Sequence, residues 1–232
     1  MSSVFLNRTS QAAKRVRYLG LVGVVVVTSL LGTAALFIGK AKVSPQAIAS
    51  SVTRTPELLE RAWHLPVAAT FNRQLISQSN ISRCGPASVA NAYLSLRDTA
   101  NTEDRVLAGT GRCWTGFCIF GLTLDELADV ARANARHKVT VLRDFSEEEF
   151  RQHLRHSNDT GRRYIVNFSR ERIFGAGVGH FSPVGGYLEA EDLVFILDVN
   201  SEYQPWLVAS KRLFDAVNTF DGNRKRGFLL IE

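Results

Sequence analysis

Hydrophobic positions fall into two regimes along the chain. Residues 19–39, LGLVGVVVVTSLLGTAALFIG, run 21 positions without a charge, enough to cross a bilayer core of about 30 Å as a helix rising ~1.5 Å per residue. Beyond residue 55 the pattern becomes amphipathic. TPELLERAWHL opens with Thr55 as N-cap, Pro56 at the first helical position and Glu57 in the first turn, which predicts a helix. Cys84 opens the next one: Val89, Tyr93 and Leu96 recur at helical spacing and Pro86 suits a first turn. Thr123 with Glu126, and Ser146 with Glu149, have the spacing of capping boxes and start two further helices. Then the period shortens. KVTVL, RRYIVNF, HFSPVGGYL, LVFILDV, PWLVA and RGFLLI are short, β-branched or aromatic, and read as strands, with ASKRLFDAVNTF as a helix between the last two. Helices followed by strands imply an α+β domain with an antiparallel sheet.

These elements divide the 232 residues into an N-terminal anchor and tether, 1–55, and one domain, 56–232, with no internal repeat. Residues 41–55, rich in Ala, Ser, Thr and Lys, read as the tether. The formal charge of +6 belongs to the first part: residues 1–54 hold seven basic residues and no acid, which leaves the remainder at −1. That distribution argues against nucleic acid as a partner. Four basic residues precede the apolar run and only Lys40 and Lys42 closely follow it, so the domain is expected outside the cytoplasm, periplasmic or extracytoplasmic. Ala47-x-Ala49 offers a cleavage pattern that would release it, although the run is long for a secretory segment and an uncleaved anchor is preferred. Of three cysteines, Cys113 and Cys118 flank WTGF. They can form a disulfide, share a metal ion or remain two free thiols, and each choice leaves Cys84 unpaired.

GVGHFSPVGGYLEAEDLVFILDVN reads as a hairpin turning in EAED, centred near residue 190 or 191. The strand partner of His180 then lies near residue 201, and Asp198 falls within one to three positions of it. A carboxylate there can hold an imidazole by one ring nitrogen. With Cys84 added, each member of a nucleophilic set has a physical reason. A helix N-terminus and a nearby imidazolium both favour a thiolate; His180 would take the thiol proton and later deliver it to the leaving amine, and Asp198 would fix the ring. Gln78, six residues upstream, could offer its amide with the Cys84 backbone N–H to a developing oxyanion. Taken singly, a cysteine opening a helix is more often a packing residue, and Gln78 carries no signal. The order Gln, Cys, His, Asp in a helix-then-sheet domain is what points to catalysis.

CGPAS with its upstream Gln78, GHFSPVGGY and FILDV, together with LTLDEL and the terminal RGFLLI, resemble the catalytic domain of the phytochelatin synthase family, from roughly Pro56 to Ile231. These are glutathione γ-glutamylcysteinyltransferases related to papain-like cysteine peptidases. The resemblance implies a papain-like fold, with Cys84 as nucleophile, His180 as base and acid, Asp198 as orienting carboxylate and Gln78 as oxyanion donor. It places Arg170, Gly179 and Arg226 at substrate-binding positions. Glutathione and related thiol peptides would be substrates, with no required cofactor, Cd2+ or Zn2+ acting as stimulant or by complexing the thiol substrate, and room for a homodimer. Where the family commonly has an arginine three residues after the triad aspartate, this chain has Ser201, which favours hydrolysis over chain elongation.

Two other readings compete. A papain-like peptidase of the double-glycine leader type also has a Gln six residues before its Cys, but lacks the paired HFSPxGGY and ILDV motifs. A non-enzymatic metal-binding envelope protein would use Cys113, Cys118 and His137, a spacing unlike that of a closed zinc site.

Overall fold

The computed structural model describes residues 42–118, 121–134 and 136–232. The apolar run 19–39, with its reading as an anchor, lies outside them; among the described residues no helix is long and apolar enough to cross a membrane. Val43–Glu232 forms one compact unit. Its start corrects the expected tether. Helix α1 (Pro45–Ser51) is capped by Ser44, whose Oγ accepts the Ala47 N–H at 3.1 Å. Val43 and Ile48 are buried in the same core cluster as Phe174, and Thr53 bridges to Leu207. The Ser-Pro start is a helix signal that the small, polar composition of the segment obscures.

The expected mixture of helices and antiparallel sheet is present. After α2 (Pro56–Trp63) come α3 (Cys84–Ser95), α4 (Glu103–Leu107) and α5 (Leu124–Asn134), then β1 (Val139–Arg143), α6 (Glu147–His156), β2 (Arg163–Ser169) and α7 (Arg170–Phe174). The chain closes with β3 (Gly179–Leu188), β4 (Leu193–Ile196), β5 (Trp206–Ala209), α8 (Ser210–Val217), the small hairpin β6 (Phe220–Asp221) and β7 (Arg224–Lys225), and β8 (Gly227–Ile231). Six strands make an antiparallel sheet in the order β1-β8-β2-β3-β4-β5. Both capping boxes form, Ser146 with Glu149 and Thr123 with Glu126.

Side-chain alternation along the strands gives each face its own core. Tyr164, Val166 and Phe168 of β2 and Phe228 of β8 pack with Phe150, Leu213 and Trp206 on one face. Ile165, Leu229, Ile231 and Phe181 pack on the other with Val89, Tyr93 and Leu127 of α3 and α5. Gly85 matters for that second layer: a Cβ there would stand 2.9 Å from Leu127 Cδ1, so glycine lets the first turn of α3 approach α5.

One irregularity in the ladder bears on function. β3 and β4 pair Leu188 with Leu193 and Gly186 with Phe195, then Val184 with Ile196, so the register slips by one residue at Gly185. Two glycines meet this bulge. Gly186 has φ +127°, and a Cβ on Gly185 would lie 2.6 Å from Phe195 Cδ1.

Candidate active site

Past the bulge, Leu197 N–H donates to Pro183 O at 2.9 Å, which carries the new register one step further and sets Asp198 opposite Ser182. Ser182 and His180 share parity, so Asp198 and His180 lie on one face of the sheet, the face of Phe168 and Trp206. Without the slip Asp198 would oppose Pro183 and point to the other side. The contact that results joins His180 Nε2 to Asp198 Oδ1 at 2.9 Å. Nδ1 is left as the ring nitrogen for the thiol.

Cys84 is the first residue of α3, whose N-terminus abuts the start of β3. Its side chain is buried, and it is the free cysteine among the described residues. Burial alone would push its thiol up, but the His180 charge, the Phe181 backbone N–H and the Arg170 charge outweigh it, so the net shift is downward. On His180, burial and Arg170 oppose protonation while Asp198 and Cys84 favour it, and the net shift is upward. A lowered thiol beside a raised imidazole is the electrostatic condition for a thiolate–imidazolium pair.

Asp198 has no exposed side-chain area and is held by four donors. Besides His180, these are Arg170 Nη2 at 2.9 and 3.0 Å to its two oxygens, the Trp206 Nε1–H at 3.1 Å and the Asn200 backbone N–H at 2.9 Å. Burial raises its pKa, yet Arg170, His180 and these bonds hold the carboxyl well below the usual range.

The remaining expected residues fall differently. Gln78 is tied near the site through its backbone N–H to Val199 O at 2.8 Å. Its Nε2 donates to Asn80 O at 2.9 Å, which leaves one amide hydrogen for a ligand, and its Oε1 is buried without a partner. Gly179 and Arg226 touch: a Cβ on Gly179 would collide with the Arg226 guanidinium. Arg226 donates to Asn167 Oδ1 at 2.7 Å, sits 3.4 Å from Asp221 and is close enough for Cys84 to act on its charge, while its Nε is unpartnered. Arg170 is 5% exposed and binds Asp198 through Nη2, while its Nε is buried without a partner.

Sequence reasoning did not single out Trp206, Tyr203 or Asn200. Asn200 had a local signal, because an aspartate two residues before an asparagine forms an Asx-type bond to that N–H. The metal-binding reading loses its ligands. Cys113 and Cys118 are joined as a disulfide, His137 lies 3.4 Å from Asp98, and among the described residues no group of three or more His, Cys, Asp or Glu side chains could hold a metal ion.

The loop of that disulfide braces the segment before Cys84. Gly116 O accepts from Asn80 Nδ2 at 3.0 Å and Arg83 Nε at 2.9 Å, and the Cys118 N–H donates to Ser82 Oγ at 3.0 Å. Glu103, in α4, accepts from the Ser79 N–H, the Ser79 hydroxyl and Arg83.

With this geometry in view, the comparisons are specific. The sequence profile described as phytochelatin synthase matches residues 38–228. A glutathione γ-glutamylcysteinyltransferase of Schizosaccharomyces pombe is 31% identical over 176 residues, covering 69% of this chain and 42% of its own length. Glutathione γ-glutamylcysteinyltransferase 3 of Lotus japonicus is 36% identical over 117 residues, covering 48% and 24% respectively. The chain thus matches less than half the length of each. Among solved structures, the peptidase domain of Streptococcus ComA, a bifunctional ABC transporter involved in quorum sensing, aligns with TM-score 0.48 at 15% identity, over 68% of this chain and 96% of that one. The match to the family profile runs through all of the residues brought together at the ends of α3, β3 and β4, and the chain belongs to the phytochelatin synthase family.

Proposed function

We propose that the domain opens the Cys-Gly peptide bond of glutathione through a γ-Glu-Cys thioester on Cys84. Arranged like the triad of a papain-like peptidase, Cys84 attacks the carbonyl as thiolate and His180 Nδ1 delivers its proton to the departing glycine nitrogen. The oxyanion forms beside the Cys84 backbone N–H and the free hydrogen of the Gln78 amide. Asp198 holds the imidazole by Nε2 throughout. Arg226, beside Gly179 and within electrostatic range of Cys84, is suited to a substrate carboxylate. Water, activated by the now neutral His180, then releases γ-Glu-Cys. A second glutathione amine can replace that water, but Ser201, where the family commonly has arginine, favours hydrolysis. Thiolate complexes of Cd2+ or Zn2+ are substrates of the same chemistry.

The observation that carries this reading is the His180–Asp198 contact beside a buried free cysteine at the helix N-terminus, in a chain of this family. The family also favours glutathione over a leader peptide. The apolar run 19–39 supports a membrane-anchored enzyme with its domain on the extracytoplasmic side. Purified protein given glutathione, with and without Cd2+ or Zn2+, should release glycine, and Cys84→Ala should not. No glycine from the wild type under any of these conditions would reject the proposal.

A further inference from the structure

Arg170 is held by more than its bond to Asp198. Its backbone N–H donates to Val178 O at 3.2 Å, so the α7–β3 loop folds back over it. Gly177, at φ +102°, passes so close that a Cβ would stand 2.8 Å from Arg170 Cβ. The guanidinium lies face-on against Tyr203, 3.5 Å from the ring centroid. Tyr203 packs on Phe174 at 5.2 Å, Phe174 on Trp206 at 5.6 Å, and Trp206 donates back to Asp198. Three aromatic rings therefore close a circuit from the arginine to the carboxylate it binds.

We propose that Arg170, seated on Tyr203, is a positioning residue that keeps Asp198 charged and turned toward His180, and thereby sets the pH range in which Cys84 is a thiolate. Its charge also acts directly on both reacting groups. When the thiol loses its proton, His180 is already an imidazolium, so a neighbouring cation favours that step; when the imidazolium then loses its proton, the same cation favours that step too. Removing the cation moves both steps to higher pH. The other charged groups near the set are Arg54, which senses Asp198, and Arg226, which senses Cys84. Neither bonds Asp198, so among the described residues Arg170 is the arginine in contact with it.

The inference rests on Cys84 and His180 as the reacting pair, not on glutathione, so its test uses a neutral alkylating reagent. The rate of Cys84 modification by iodoacetamide is measured from acid to alkaline pH, with circular dichroism confirming the fold of each variant. In Arg170→Met the rising limb should move to higher pH, and reactivity near pH 6 should fall about tenfold for each unit moved. Arg170→Lys, which keeps the cation, should hold the limb close to the wild-type position. A folded Arg170→Met with an unmoved limb, or an Arg170→Lys limb displaced as far as that of Met, overturns the proposal. Should Arg170→Met fail to fold, Tyr203→Leu removes the supporting ring and should move the limb in the same direction; an unmoved limb there overturns it equally. A wild type that shows the limb but releases no glycine from glutathione would reject the proposed substrate and leave this role standing.

Discussion

Asp198 meets His180 because the ladder between β3 and β4 slips by one residue at Gly185. The slip turns a carboxylate that would point away from the imidazole onto its face, so the glycines that permit it are part of the site's construction. Gly186 stands at φ +127°, a conformation nearly closed to other residues, with Asn158 Oδ1 2.6 Å from where a Cβ would be. Gly186→Ala should cost about 1–3 kcal/mol, read from urea unfolding. A loss below about 0.5 kcal/mol would mean the bulge is not held in this form.

Asp198→Asn keeps the shape of the side chain and removes the charge that Arg170 is buried against. Leaving that cation uncompensated should cost about 3–5 kcal/mol of stability. The acid dependence follows from the sign of the shift. Because folding lowers the Asp198 pKa, its contribution is present above the unfolded value of about 3.9 and is lost as pH falls from there toward the lower folded value. Unfolding curves across that window should steepen with acid in the wild type and lose this component in Asp198→Asn. Parallel curves would contradict the charge assignment.

Gln78→Ala removes the proposed side-chain oxyanion donor without touching Cys84 or His180. Turnover should fall by about 10²–10³ while iodoacetamide modification of Cys84 keeps its wild-type pH profile. Equal losses in both measurements would show that Gln78 serves to hold the loop, through its bonds to Asn80 and Val199, and not the reaction.

The Cys113–Cys118 disulfide closes a six-residue loop whose Gly116 carbonyl anchors Asn80 and Arg83. Replacing both cysteines with serine should lower stability by about 2 kcal/mol from loop entropy alone. Hydrogen exchange should rise first at residues 79–83, ahead of the sheet. Unchanged exchange there would mean the loop does not brace the segment before Cys84.

Much of this was legible in the sequence. The six strands of the main sheet, α2, α3, the two capping boxes and the hairpin centre follow from local periodicity and turn chemistry, and Leu188 does pair with Leu193 about residue 190.5, whereas the small hairpin β6–β7 is not foreseen and its Phe220 reads as the end of a helix. The motifs placed Cys84, His180 and Asp198 in one order. What local patterns could not supply was the effect of the bulge: two glycines announce an irregularity but not which way it shifts parity. Nor could they assign Arg170. Whether an arginine faces a cleft or a carboxylate depends on Tyr203, Phe174 and Trp206 closing around it, which is long-range packing. α1, α4 and α7 were missed for a related reason, being one- or two-turn helices stabilised by burial of Ile48, by Glu103's bonds to Ser79 and Arg83, and by burial of Ile173 and Phe174.

The proposed reaction requires Cys84 to carry a γ-Glu-Cys acyl group. Protein mixed with glutathione, quenched in acid and analysed by peptide mass spectrometry should show that group on the Cys84 peptide, stable to a phosphine reductant and accompanied by free glycine, with neither seen in Cys84→Ala. A Cys84 adduct with the full mass of glutathione that the phosphine removes, without glycine, would be a mixed disulfide and would contradict the account.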